Sequence, residues 1–495
     1  YTFSNDSSPR DEFKVQQFGL YGGDTWRVRS NVTLNYGLRF DVPFFPDSPQ
    51  FNQEVYDTLG YRTDDMPDGK FMFSPRVGFN WDITGKGEHQ LRGGIGLFSG
   101  RTPYVWLSNN FGRSGLEQTT IRANGDIAFI ADPDSQYGPD DLPGVRLATQ
   151  EINIVDPDFE FPQIWRASLG YDMKLPWWGL VGTAEAVYSF TEKDVLYQNA
   201  NLQYSGETFF DGRPIYEDIN DNFTGAYYLT NTDEGDATNL TLKLEKPYDN
   251  GWWGFVAYAW GESNNVNDTT SSRAVSNWRY NPAVDPNNPD VATSGFEVQH
   301  RITASIAYTF NRDSRWSTTL SGYFNRQSGR PFSLLLDSSF PSINGDGYDD
   351  NDLFYIPASA DEVIIVDGTY EDLMAFISRA GYGDYKGKIA ERNASRAPWN
   401  GTLDVHVGQQ IPMPYGELEL TLDIFNFLNL FDDNAGRTRY VSFGTVSPAF
   451  FAGYDEDTGK PIYDLNSVTD PERDLFSVDN LRSRWRAKLG LRYSF

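Results

Sequence analysis

The segment Ser342-Ile343-Asn344-Gly345-Asp346-Gly347-Tyr348-Asp349-Asp350-Asn351-Asp352 has the residue types of a calcium loop. In such a loop, oxygens at alternate positions converge and a central glycine permits the sharp turn. Asn344, Asp346 and Gly347 fit its third, fifth and sixth positions. Ser342 and Leu353 take the first and last, so the opening carboxylate and the bidentate acid are lacking. Asp350 and Asp352 are the candidates to replace them, which makes Asn344, Asp346, Asp350 and Asp352 the candidate Ca2+ ligands; an Asx-rich turn is the competing reading. Further acids cluster at Asp64, Asp65 and Asp68, at Asp132, Asp134, Asp140 and Asp141, at Glu217, Asp218 and Asp221, and at Asp455, Glu456 and Asp457. They would either attract cationic cargo or simply form a solvated surface among lipopolysaccharide bridged by divalent cations.

Catalysis finds little to work with. The histidines are His89, His300 and His406, each on a different segment; there is no cysteine, and neither G-x-S-x-G nor H-E-x-x-H occurs. His300 and His406 read as hydrogen-bonding groups on a polar inner face. An enzyme is not expected, and no cofactor is required.

Composition narrows the class. With 41 basic against 69 acidic side chains the net charge is −28, the wrong sign for neutralising nucleic-acid phosphates. No run approaches the roughly 20 apolar residues of a membrane-spanning helix. The chain opens at Tyr1 rather than methionine and reads as a processed or partial product.

The elements that must position these residues show a period of two. In the last segment Trp485, Ala487, Leu489, Leu491, Tyr493 and Phe495 alternate with Arg484, Arg486, Lys488, Gly490, Arg492 and Ser494. About thirteen such strands are predicted, at 13–28, 31–42, 72–83, 88–100, 163–175, 178–194, 237–247, 251–263, 297–310, 315–328, 399–411, 416–430 and 484–495. Their connections alternate strictly between short and long, the loop sorting of a transmembrane antiparallel β-barrel with tight periplasmic turns and long extracellular loops. A closed barrel is how β-structure crosses lipid, where an unpaired backbone group costs several kcal/mol.

The fold class is therefore all-β, an antiparallel outer-membrane barrel with lipid on one face of each strand and a polar lumen on the other. Trp26, Trp81, Trp177, Trp178, Trp252, Trp253 and Trp316 lie near short turns and are expected to form an interface girdle. Arg166, Lys243, Arg484, Arg486, Lys488 and Arg492 are expected to face the lumen. If short turns are periplasmic, Phe495 ends at the periplasmic rim and Tyr1 starts on the surface side. An odd strand number predicts further strands upstream, since single-chain barrels are normally even. In the loop 329–398, Thr369 and Asp372 with Leu373, Phe376 and Ile377 on one face, and Gly381 beyond, predict a short capped helix.

The strand wording resembles a known family. Phe18-Gly19-Leu20-Tyr21, Leu34-Asn35-Tyr36-Gly37-Leu38-Arg39-Phe40-Asp41 and Phe73-Ser74-Pro75-Arg76-Val77-Gly78-Phe79 are similar to strands of TonB-dependent outer-membrane receptors. Ser276-Asn277-Trp278-Arg279-Tyr280-Asn281-Pro282, Asp285-Pro286-Asn287-Asn288-Pro289 and Leu422-Asp423-Ile424-Phe425-Asn426-Phe427-Leu428-Asn429 resemble the Oar-like subgroup. The resemblance implies the C-terminal portion of a barrel of about 22 strands, with the plug and TonB box upstream. It implies coupling to TonB–ExbB–ExbD and active transport of a peptide, protein, glycan or metal chelate. A barrel that displays loops 101–162 and 329–398 to a partner, and a passive porin, are the alternatives.

Overall fold

A computed structural model describes residues 11–100, 103–117, 128–132, 135, 137, 150–339 and 342–495. Thirteen strands form one uninterrupted antiparallel meander, each hydrogen-bonded to the next in chain order. They are β1 (Gln16–Arg29), β2 (Val32–Phe44), β3 (Met72–Asp82), β4 (His89–Ser99), β5 (Gln163–Lys174), β6 (Val181–Asn199), β7 (Gly235–Asp249), β8 (Trp252–Asn265), β9 (His300–Phe310), β10 (Thr318–Gln327), β11 (Asn400–Met413), β12 (Gly416–Phe425) and β13 (Arg486–Ser494). Short and long connections alternate as predicted, and every long one leaves the same end of the sheet. Among the described residues β1 and β13 do not pair with each other.

Strand ends differ from the sequence reading where local geometry intervenes. The penultimate strand stops at Phe425 because Asn426 adopts a left-handed conformation (φ 52°) and opens a 3-10 turn over Phe427–Leu430. The last strand starts at Arg486, so Arg484 lies outside it. β6 runs on to Asn199 because its outer end gains a partner, Phe223–Thr232, which in turn pairs in parallel with Gln150–Val155.

Register brings the apolar faces of successive strands into line on one side of the sheet. Passing from partner to partner, Trp26, Leu34, Phe79, Gly93, Leu169, Ala186, Leu240, Trp260 and His300 stand in one row. The row starts beside a short turn on β1 and finishes at the loop end of β9, the stagger expected of strands tilted in a barrel wall.

The buried core lies elsewhere, in a cap built by the long loops. One cluster joins Phe332, Leu334 and Leu336 to Phe354, Leu373, Phe376, Ile377 and Tyr463. A second surrounds Trp278 with Phe159, Phe161, Tyr197 and Tyr227. The predicted helix spans Tyr370–Arg379, with the reciprocal Thr369–Asp372 capping box in place. Gly381 follows in the left-handed region at φ 81°, and the amide of Tyr382 closes on the carbonyl of Ile377 at 2.9 Å. Leu373, Phe376 and Ile377 are the residues it buries.

Candidate functional site

The polar face of the wall is laced by cross-strand charge pairs, because register sets opposite charges beside each other. Arg92 on β4 reaches Asp172 on β5 (Nε to Oδ2, 3.1 Å) and Glu185 on β6. Thr183 donates to the other oxygen of Asp172 at 2.7 Å. Within β2, where residues two apart share a face, Arg39 makes a two-pronged pair with the buried carboxylate of Asp41, at 2.6 and 2.8 Å. His406 Nδ1 lies 2.6 Å from Asp423 Oδ1, and Lys488 is the register partner of Asp423 from the other side.

Five of the six expected lumen cations stand on this face. Arg166 donates to Ser189 Oγ at 3.2 Å. Lys243 pairs with Glu245 and lies 5.3 Å from the Phe255 ring. Arg486, Lys488 and Arg492 face Phe425, Asp423 and Glu419 on β12, with the Arg486 guanidinium 5.7 Å from the Phe425 ring. Arg484 falls in the bend before β13. The result is a charged, hydrogen-bonding surface with open arginine and lysine ends near β13, suited to holding an acidic or strongly polar segment.

The tryptophans expected at the interface take three kinds of position. Trp26, Trp81 and Trp252 share the apolar face with Leu34, Val32 and Val256. Trp177 and Trp178 occupy the exposed turn between β5 and β6, and Trp316 precedes β10, also exposed. Trp253 points to the polar face, as its neighbour Trp252 cannot share its side of the strand; its indole donates to Glu245 Oε1 at 3.4 Å. The histidines divide differently from expectation. His406 is polar-facing, but His300 stands in register row with Trp260 on the apolar face, hydrogen-bonded to the Tyr258 hydroxyl (2.8 Å) and stacked on Trp399. The sequence reading missed this second belt of Trp165, Phe190, Tyr258, Trp260 and Trp399 at the loop ends, although aromatics at alternate positions beside long loops signalled it.

In the cap, the candidate calcium residues separate into three groups. Asn344 and Asp346 lie together. The Asp346 carboxylate accepts from Tyr348 N (2.9 Å), Asn351 Nδ2 (2.9 Å) and Asn344 Nδ2 (3.2 Å), with Ser342 Oγ at 2.8 Å. Asp350 is drawn to Arg279. Asp352 pairs with Arg213 (Oδ1 to Nη1, 2.9 Å), which also holds Asp211 (Oδ2 to Nη2, 2.7 Å), all three fully buried. Burial pushes the Asp346 carboxyl up, and pushes Asp352 well up despite Arg213. Among the described residues no three His, Cys, Asp or Glu side chains gather closely enough to hold a metal ion.

Most of the acidic clusters are occupied locally. Asp64 and Asp65 lie by Arg62 at 2.6 and 3.8 Å. Asp68 accepts from Phe45 N, Glu217 from Gln203, and Asp455 from Thr458, whose hydrogen bonds hold its carboxyl below the usual range. Asp134, Asp140 and Asp141, like Tyr1, lie outside the described residues.

The family described as the outer membrane beta barrel domain matches residues 2–452. The chain belongs to that family, and its place is the outer membrane of a Gram-negative bacterium. No curated protein matches the sequence. Among solved structures, the chain is similar to the outer membrane transporter YddB from Escherichia coli, with 11% identity over 97% of this chain and 45% of that one, at a TM-score of 0.46. It is similar to BauA, the ferric preacinetobactin receptor from Acinetobacter baumannii, with 11% identity over 97% and 43% and a TM-score of 0.42. A third is the FrpB iron transporter from Neisseria meningitidis, with 11% identity over 84% and 41% and a TM-score of 0.39. The chain spans less than half the length of each.

Proposed function

We propose that this chain is the wall-and-cap portion of a TonB-dependent, Oar-like outer-membrane transporter, with the long loops outside the cell and Phe495 at the periplasmic rim. The observation that carries the reading is the polar face held by cross-strand ion pairs and hydrogen bonds beneath a folded cap. A plug seated against that face would meet Arg166, Lys243, Arg486, Lys488 and Arg492, and coupling to TonB–ExbB–ExbD would pass through the plug. Cargo would be large and polar: a peptide, protein, glycan or metal chelate.

Reconstitution of the full gene product tests this. A plugged transporter conducts little in planar bilayers until the plug is deleted, and it binds the periplasmic domain of TonB. Conductance from the start without TonB binding would indicate a porin. A closed wall without a plug would indicate a barrel that displays its cap, a reading favoured by the cap's own hydrophobic core. A Ca2+ ion, if held, would sit by Asp346, where Asn351 Oδ1 and Asp352 Oδ2 are buried without hydrogen-bond partners. Chelation would then loosen 342–353 in hydrogen exchange, and unchanged protection would remove the ion from the proposal.

A further inference from the structure

Arg326 is out of place by pattern. Register sets Ile302, Arg326 and Gly401 side by side on β9, β10 and β11, with Ala304, Phe324 and Leu403 on the next rung toward the middle of the wall. That is the lipid-facing row, where a guanidinium is tolerated only near a membrane interface.

The surroundings accommodate it. A Cβ at Gly401 would meet the Asn325 carbonyl oxygen at 2.9 Å and the Cβ and Cγ of Arg326 at 3.2 Å, so glycine there leaves both the neighbouring backbone and the arginine stem room. The guanidinium carbon lies 5.8 Å from the centre of the Trp399 ring. The His300 ring stacks on the same Trp399, with centroids 5.7 Å apart and planes 11° from parallel. His300 Nδ1 meets the Tyr258 hydroxyl at 2.8 Å.

Among the described residues no carboxylate pairs with Arg326 and no hydrogen bond takes its donors, while the second nitrogen of His300 also has no partner. The nearby Glu297 is committed to Arg396 and to the amide of Ser263. Lys246, the lipid-face cation near a short turn, is the contrast: its Nζ donates to Pro247 O at 2.9 Å, approaches Asp249 at 3.6 Å and lies 5.2 Å from the Trp252 ring.

The level of the cluster fits a headgroup. His300 and Phe310 are the first and last residues of β9; ten steps of about 3.3 Å along a strand tilted by about 40° rise roughly 25 Å, the height of the apolar band. Tyr308, Phe310 and Trp316 mark its lower edge and Tyr258, His300 and Trp399 its upper edge.

We infer that Arg326 and His300, framed by Trp399 and Tyr258, bind the phosphate of a phosphorylated glycolipid, the lipid A moiety of the outer leaflet. The guanidinium supplies two parallel donors matched to phosphate oxygens, the rings sit at headgroup depth, and Phe324 and Leu403 offer apolar surface to the acyl chains. This rests on the loops-outward orientation proposed above.

The test uses the full gene product in phosphatidylcholine nanodiscs doped with either bisphosphorylated or chemically dephosphorylated lipid A, with bound lipid quantified by mass spectrometry and folding checked by heat-modifiable migration. The wild type should retain the phosphorylated form about tenfold better, the scale of a charge-assisted hydrogen bond. Arg326→Gln combined with His300→Gln should abolish the preference, Arg326→Lys should keep part of it, and Lys246→Gln should leave it unchanged. No preference in the wild type, or full preference in the folded double variant, overturns the inference. A protease site inserted in the turn at 455–459 and tested on intact cells reports orientation separately. Protection there, with Arg326-dependent retention of phosphatidylglycerol instead, would overturn both the lipid A assignment and the proposed orientation.

Discussion

Leu489 on β13 is 82% exposed, whereas Leu373 on the helix Tyr370–Arg379 is 0% exposed, although each sits where its local period puts an apolar side chain. The wall leaves its leucines outward because lipid, not protein, removes them from water. The cap has only itself, so it closes a core around Phe332, Phe354, Phe376 and Tyr463 and accepts the cost of burying charge within it. The two regions therefore fail differently. Damage to the wall is felt as a polar group in hydrocarbon, and damage to the cap as a cavity or an orphaned ion.

The largest effect is expected at Arg213. Arg213→Met leaves Asp211 and Asp352 buried without their cation, a loss of about 3–5 kcal/mol. Limited proteolysis should open 202–218 and 342–353 while heat-modifiable migration of the wall stays normal; loss of both together would show that wall and cap are one cooperative unit. Leu489→Arg tests the opposite region, at about 2–4 kcal/mol if the residue lies near the bilayer midplane. It should impair assembly into membranes and leave exchange in the cap unchanged once folded.

A smaller effect separates local from tertiary stability in the cap. Thr369→Ala removes one half of the capping box and should cost about 1 kcal/mol, read as faster exchange in 370–379 alone.

The smallest is a pH effect of defined sign. Burial raises the carboxyls of Asp346 and Asp352, so the folded cap holds protons that the unfolded segment releases. Cap stability should rise as pH falls from neutrality toward these raised values, and the gain should end below the ordinary carboxylate value of about 3.9, where the unfolded chain is protonated too. Exchange in 342–353, corrected for its intrinsic pH dependence, should slow as pH falls from neutrality toward the ordinary carboxylate value of about 3.9; acceleration would contradict the buried-acid assignment.

The wall was legible because lipid on one side and polar surroundings on the other impose a period of two that needs no knowledge of partners. That period set the number of strands, the alternation of loop lengths and the faces of Arg166, Lys243, Arg486, Lys488 and Arg492. It also held the information that Trp253 and His300 lie opposite to their expected sides, which counting from Lys243 or Ile302 through the register makes plain. The helix was readable from its own ends, since a capping box is a contact between residues three apart.

The cap core and its ions were not legible in this way. Arg213 meets Asp352 across 139 positions of sequence and Arg279 meets Asp350 across 71, and no local period announces such partners. So the calcium-like spacing of 342–352 described oxygens available to any cation, and only folding decided that two of them went to arginines. Sequence alone fixed which side of each strand would be oily; tertiary structure decided which distant charges were desolvated together, because that depends on loops closing over one another rather than on neighbours along the chain.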